Sequence, residues 1–279
     1  LPISEDNSDN LILRTPNQVL NGTRAPSNGQ WIGQWEDIRS INILFDNLDN
    51  VTDEFSSYQQ FLGEAHFFRA WFYFNLLTTY GDLPIYDTQL FPDDEKLLDP
   101  RSPRTDVVDF ILADLDKSIE YLGLRTTTGN ARLNKEAALA FKLRVALFEG
   151  TWQKYHEGGV FGTPGANPNN YFQQAVSAGE ELINGNYTKG IYNTGNPEMD
   201  YYSLFGMDNM SNIDEVLFYR IASTAEQMGH ELQFYTTRRT RDMSLTWSLI
   251  SSYLGKDGNA YGYLGLAATT KGNDFLTTI

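Results

Sequence analysis

Between Gly63 and Pro84 the chain reads GEAHFFRAWFYFNLLTTYGDLP, apolar on nearly every face of a helix and ended by a tight Gly-Asp-Leu-Pro corner. Phe61, Ala65, Phe68, Phe72 and Leu76 form one stripe at helical spacing, and Phe67, Trp71 and Phe74 form another. A helix apolar all round is buried on more than one side. The chain is therefore expected to fold as packed helices, with Phe68, Trp71 and Phe72 inside. Full burial of Trp71 would make Trp71→Ala cost about 3–5 kcal/mol. Gly81 can supply a left-handed cap, and Pro84 prevents the helix from resuming.

Helical periodicity continues on both sides. Residues 1 to 30 are polar and punctuated by Pro16, Gly22, Pro26 and Gly29, so they read as irregular. Ile38, Ile41, Phe45 and Leu48 place a helix over about Gln34 to Asn50, and the aromatic helix follows over about Phe55 to Tyr80. A connector rich in Asp and Pro covers residues 82 to 104. Thr105 is a candidate N-cap for a helix carrying Val108, Ile111, Leu112, Leu115, Ile119 and Leu122 on one face. Asn134 can cap another that runs to about Phe148, and a further helix spans about Tyr171 to Ile183. Residues 186 to 212 read as loop, Glu215 to Ile221 as a short strand, and Thr246 to Tyr253 as a last helix. Helix pairs of this length suggest tetratricopeptide-type stacking without a strict sequence repeat. The expected fold is mainly α: a tetratricopeptide-like superstructure with long irregular loops and a few short strands.

Composition narrows the function. The formal net charge of -15 argues against duplex nucleic acid and anionic lipid as partners. Cysteine is absent, so there is no disulfide framework, thiolate metal site or cysteine nucleophile. No apolar run is long enough to span a membrane as a helix. The 17 Phe, 16 Tyr and 5 Trp exceed what a core needs and suggest a surface for flat or amphipathic ligands.

Catalytic signals are missing. There is no G-x-S-x-G elbow, phosphate-binding loop or dinucleotide fingerprint. His66, His156 and His230 lack zinc-type i, i+4 partners. His66 reads as a satisfied core or interface residue. Carboxylates such as Asp93-Asp94-Glu95 and Asp114/Asp116 are plentiful, but a glycosidase needs two held across a substrate at a defined separation. No catalytic residue, metal ligand or cofactor is assigned.

Several segments together resemble the SusD/RagB family of nutrient-binding lipoproteins from Bacteroidetes outer membranes. Trp35, Ile38, Asn42 and Ile43 resemble its first helix, and Gly63 to Pro84 its most recognisable motif. Thr105 to Leu122, Arg132 to Trp152, Glu215 to Arg220 and Tyr253 to Gly258 resemble later family segments. The match covers about residues 31 to 279. The family begins with a lipidated Cys and continues well past this C-terminus, so the chain is expected to be a piece of a longer protein. It divides into a helical scaffold, 31–185, and a loop-rich ligand side, 186–279, within one incomplete domain, 1–279.

The resemblance implies a non-enzymatic, lipid-anchored protein on the extracellular face of the outer membrane. It would capture oligosaccharide, or peptide in the RagB branch, for a SusC-like TonB-dependent transporter. The family motifs carry no ligand residues to transfer. Sugars stack on exposed aromatic faces, so aromatics in irregular segments are the candidates: Trp31, Tyr201, Tyr202, Tyr235 and Trp247. Loop use in the family favours Trp31, Tyr235 and Trp247. Trp35, Trp71 and Trp152 read instead as helix-packing residues. The alternatives are a tetratricopeptide-like scaffold that binds only protein, and a helical glycan hydrolase.

Overall fold

The computed structural model describes residues 30–221 apart from 186, 188, 189 and 208, together with 11–13, 18, 21–23, 229, 243–245, 249 and 258. The chain divides into two units, one formed by 1–28 with 222–279 and the other by Gly29–Ile221. In the first, β1 (Leu11–Leu13) pairs antiparallel with β2 (Met243–Leu245), placing Ile12 opposite Ser244.

The second unit is helical. Its elements are α1 (Gln30–Asp46), α2 (Phe55–Tyr80), α3 (Arg104–Tyr121), the single turn α4 (Arg125–Thr128), α5 (Lys135–Tyr155), α6 (Pro168–Asn184) and α7 (Pro197–Gly206). Helix α1 packs on α2, α2 on α3, α3 on α5, and α5 on α6. Consecutive helices from α1 to α6, the short α4 apart, thus cover one another's inner faces, as in a tetratricopeptide-like superstructure. Tyr73, Leu76, Leu77, Val107, Ile111 and Leu115 form the centre of the core.

Local chemistry sets the element ends. The Asn134 side chain accepts from the Ala137 N–H and caps α5. Gly81 closes α2 at φ 75°, with its N–H bonded to the Leu77 carbonyl. Gly63 has a packing role: a Cβ there would lie 2.9 Å from the Leu122 side chain and 3.0 Å from its backbone nitrogen. Helix α3 starts at Arg104 after Pro103, so Thr105 lies inside the first turn and is not the cap. The Asp82 side chain instead accepts from the Arg104 N–H at 2.9 Å.

Three further expectations change. Phe68 and Trp71 are 40% and 38% exposed, and Phe72 is half-buried. Helix α2 instead buries Leu62, Phe67, Arg69, Ala70, Tyr73 and Leu76, because those positions meet its partners. Residues 186 to 212 are not all loop: α7 starts with Pro197 at its first turn, which fits proline's fixed φ. Residues 215 to 221 form no strand. The helix expected over Thr246 to Tyr253 lies outside the described residues apart from position 249, which is helical.

Four side chains from three helices meet in a buried polar cluster. Arg69 of α2 donates through Nε and Nη2 to both oxygens of Asp114 of α3, each at 2.7 Å. His66 Nδ1 donates to Asp114 Oδ1 at 2.8 Å, which satisfies that histidine as expected. Arg69 Nη1 donates to Asn42 Oδ1 of α1 at 2.9 Å. The guanidinium lies between the Phe45 and Phe110 rings, 4.6 and 4.9 Å from their centroids.

Tyr73 extends this arrangement toward the connector. Its hydroxyl accepts from the Tyr86 N–H at 2.7 Å and donates to the Tyr86 carbonyl at 3.2 Å. Burial pushes the Tyr73 phenol well above its ordinary range. The folded chain therefore favours the neutral phenol. Its stabilising contribution is complete below the unfolded tyrosine pKa and is lost as pH rises through the folded value. Tyr73→Phe is expected to cost about 1–3 kcal/mol at neutral pH, because the Tyr86 N–H loses its acceptor. It should also flatten the loss of stability above about pH 10. Urea titrations of both chains at neutral and alkaline pH measure the two effects, and an unchanged alkaline slope would contradict the second.

Candidate functional site

Helix α7 presents an aromatic face outward. Tyr201, Tyr202 and Phe205 are 76%, 73% and 67% exposed. They lie at i, i+1 and i+4, so Tyr201 and Phe205 meet along one side with ring centroids 4.9 Å apart and planes inclined at 53°. Met199 is also exposed. The opposite side of the helix carries Asp200 and Leu204, both buried. Asp200 accepts from the backbone N–H and the hydroxyl of Thr194, fixing the chain that leads into the helix. An apolar face turned to solvent on a polar anchor is the reverse of the usual surface helix.

The segment after α7 is fastened to the scaffold by side chains. Arg125 Nη1 donates to the carbonyls of Ile213 and Val216 at 3.1 and 3.0 Å. Its Nη2 reaches Asp214 at 3.3 Å. Asn130 Nδ2 donates to the Met210 and Val216 carbonyls, and Asn134 Nδ2 to the Leu217 carbonyl. The Tyr219 N–H donates to the Asn130 carbonyl. This explains why residues 215 to 221 are not a strand: scaffold amides and a guanidinium take the carbonyls a neighbouring strand would have used. Glu136 in turn holds α4 in place, its carboxylate accepting from the Arg125 N–H at 2.9 Å.

Of the five expected ligand residues, the structure brings Tyr201 and Tyr202 together on one helix. Trp31 lies in the first turn of α1, but its side chain falls outside the described residues, as do Tyr235 and Trp247. Phe205 and Met199 were not anticipated. The i+4 spacing from Tyr201 to Phe205 is the signal that could have found Phe205.

Flat aromatic faces can stack on the apolar faces of a sugar ring, while nearby polar groups meet its hydroxyls. Three of the five carboxylates noted in the sequence are engaged elsewhere. Asp114 serves Arg69 and His66, Asp116 pairs with Lys142, and Asp94 accepts from the Phe91 N–H. Among the described residues no group of three or more His, Cys, Asp or Glu could hold a metal ion. No helix among them is long and apolar enough to cross a membrane.

Comparison with known proteins agrees with this architecture. Residues 5–147 match the SusD-like family model described as "Starch-binding associating with outer membrane". The chain belongs to the SusD/RagB family. It is similar to SusD-like protein P2 of Formosa agariphila, at 28% identity over 148 residues, 52% of this chain and 29% of that protein. Among solved structures, it is similar to a SusD-like protein of Bacteroides fragilis at 26% identity and TM-score 0.59. That likeness covers 79% of this chain and 41% of the other. A laminarin-binding SusD-like protein shares the fold at 19% identity and TM-score 0.57, over 77% of this chain and 44% of its own. The chain thus spans less than half the length of each relative it matches here.

Proposed function

We propose that the protein binds an oligosaccharide nutrient at the cell surface and delivers it to a SusC-like TonB-dependent transporter without chemical change. The solvent-facing aromatic platform of α7 carries this reading. On it, Tyr201 and Tyr202 stack sugar rings, with Phe205 extending the surface. Trp31, in the first turn of α1, and Tyr235 and Trp247 are further candidate ligand residues, each to be tested by itself. The helical part, 31–185, is the scaffold, and 186–279 is the ligand side. An N-terminal lipid anchor holds the protein to the outer membrane. A glycan is favoured because a relative of the same fold binds laminarin and the family model is described as starch-binding.

Shallow stacking sites bury little area, so affinity is expected at micromolar or weaker. The test is calorimetry against laminari-, xylogluco- and malto-oligosaccharides, followed by Tyr201→Ala and Tyr202→Ala. Each variant should bind about tenfold more weakly, about 1.4 kcal/mol, with an unchanged melting temperature. Unchanged affinity in both would remove α7 from the site. Binding of peptides alone would replace the glycan reading. Mass spectrometry of the mixtures should show intact ligand, and stoichiometric cleavage products would restore the hydrolase.

A further inference from the structure

A cavity of about 590 Å³ opens between α1 and residues 84–97. Trp35 and Arg39 line it from the helix, and Tyr86, Leu90, Phe91 and Leu97 from the connector. Its volume is in the range of small-molecule sites. The Trp35 and Tyr86 rings lie 5.3 Å apart at 57° and form an aromatic corner. Phe91 and Leu97 are exposed beside it.

The walls are held in place from behind. Asn42 Nδ2 donates to the carbonyls of Tyr86 and Thr88 at 2.9 and 3.1 Å. Tyr73 holds both backbone groups of Tyr86. Arg69 donates to the Asp87 carbonyl at 3.4 Å. The connector here is an irregular segment bolted to two helices by buried side chains. A cavity with walls set in advance loses less entropy when a ligand enters.

Its charge is distinctive. The chain holds 36 Asp and Glu, yet no carboxylate lines this cavity. The neighbouring Asp87 turns its carboxylate to Lys96 at 2.6 Å. Arg39 is the one cation in the lining, and among the described residues no carboxylate pairs with it. The amide of Asn42 is already spent on Tyr86, Thr88 and Arg69. What remains is an aromatic, apolar pocket with a guanidinium on one side.

We propose that this cavity binds a small organic anion: an apolar, ring-sized body between Trp35, Tyr86 and Leu90, with a terminal carboxylate paired to Arg39. A cationic ligand would meet Arg39 as a like charge. A sugar would leave its hydroxyls against Leu90, Phe91 and Leu97 without partners. This site is separate from the α7 platform, and neither proposal needs the other.

The test is calorimetry on the 279-residue chain with three probes of one shape: 3-phenylpropanoate, 3-phenylpropanol and 3-phenylpropylamine. The acid should bind about fivefold or more tightly than the alcohol, and the amine least, since Arg39 is exposed and its pairing is partly screened. Arg39→Gln should bring the acid to the level of the alcohol while leaving the alcohol unchanged. Leu90→Glu, placing a carboxylate in the lining, should abolish acid binding with the melting temperature retained. Tyr201→Ala should alter none of these values, which separates this site from the glycan platform. Equal affinity for all three probes, no binding at millimolar concentration, or acid binding that survives both Arg39→Gln and Leu90→Glu would overturn the proposal.

Discussion

Replacing Asp114 with alanine is expected to destabilise the helical unit by about 3–5 kcal/mol, the cost of stranding a buried charge. Asp114 is 4% exposed and receives three hydrogen bonds, two from Arg69 and one from His66. Without it, Arg69 keeps only Asn42 and a long contact to the Asp87 carbonyl at 3.4 Å. The same cluster ties α1 to α2 and α3, so its loss also loosens the Tyr86–Thr88 wall. Asp116, two residues on, is a control. Its carboxylate is 59% exposed against Lys142, so Asp116→Ala should cost under about 1 kcal/mol. The double variant Arg69→Met with Asp114→Leu should recover much of the loss, because apolar replacement removes both desolvated charges. Urea denaturation of the four chains decides it. An Asp114→Ala chain within 1 kcal/mol of the parent would mean that water reaches this cluster in solution.

The sequence made the helices legible and left their orientation open. Helix α2 runs over Phe55–Tyr80, as its periodicity indicates, because nothing inside it breaks a helix and Gly81 ends it. Its aromatics occupy nearly every face, however, so spacing alone does not say which ones turn inward. That choice was made by the partner helices, which cover Phe67 and Tyr73 and leave Phe61 and Phe68 outside. Likewise, nothing local marks Arg69 and Asp114 as a pair. They stand 45 positions apart and meet only once α2 and α3 have packed.

The site was less legible for related reasons. Tyr201 and Tyr202 were singled out as aromatics in an irregular segment, but the ten-residue α7 is too short to display a clear period. Residues 215 to 221 have strand-like composition, and composition does not reveal that Arg125, Asn130 and Asn134, about 80 to 90 positions upstream, will claim their carbonyls. The cavity beside α1 is non-local too: Arg39 and Leu90 become neighbours through the fold alone.

Phe67→Ala should cost about 3–5 kcal/mol, whereas Trp71→Ala, four residues on, should cost clearly less. Phe67 is 5% exposed and packs its ring on Phe141 at 5.2 Å, between α2 and α5. Its removal opens a void in a closely packed core, so the space cannot close cheaply. Trp71 also touches Phe141, at 5.0 Å, but 38% of its surface already faces water. Truncating it loses part of one contact and leaves a dent that water can fill. Thermal and urea unfolding of both variants should therefore rank Phe67→Ala as the more damaging. If Trp71→Ala proved equally costly in the isolated chain, the outer face of α2, with Phe61, Phe68 and Trp71, would have to be covered in solution. Its stability would then depend on protein concentration if the cover were a second copy, and be independent of concentration if the cover came from within the chain.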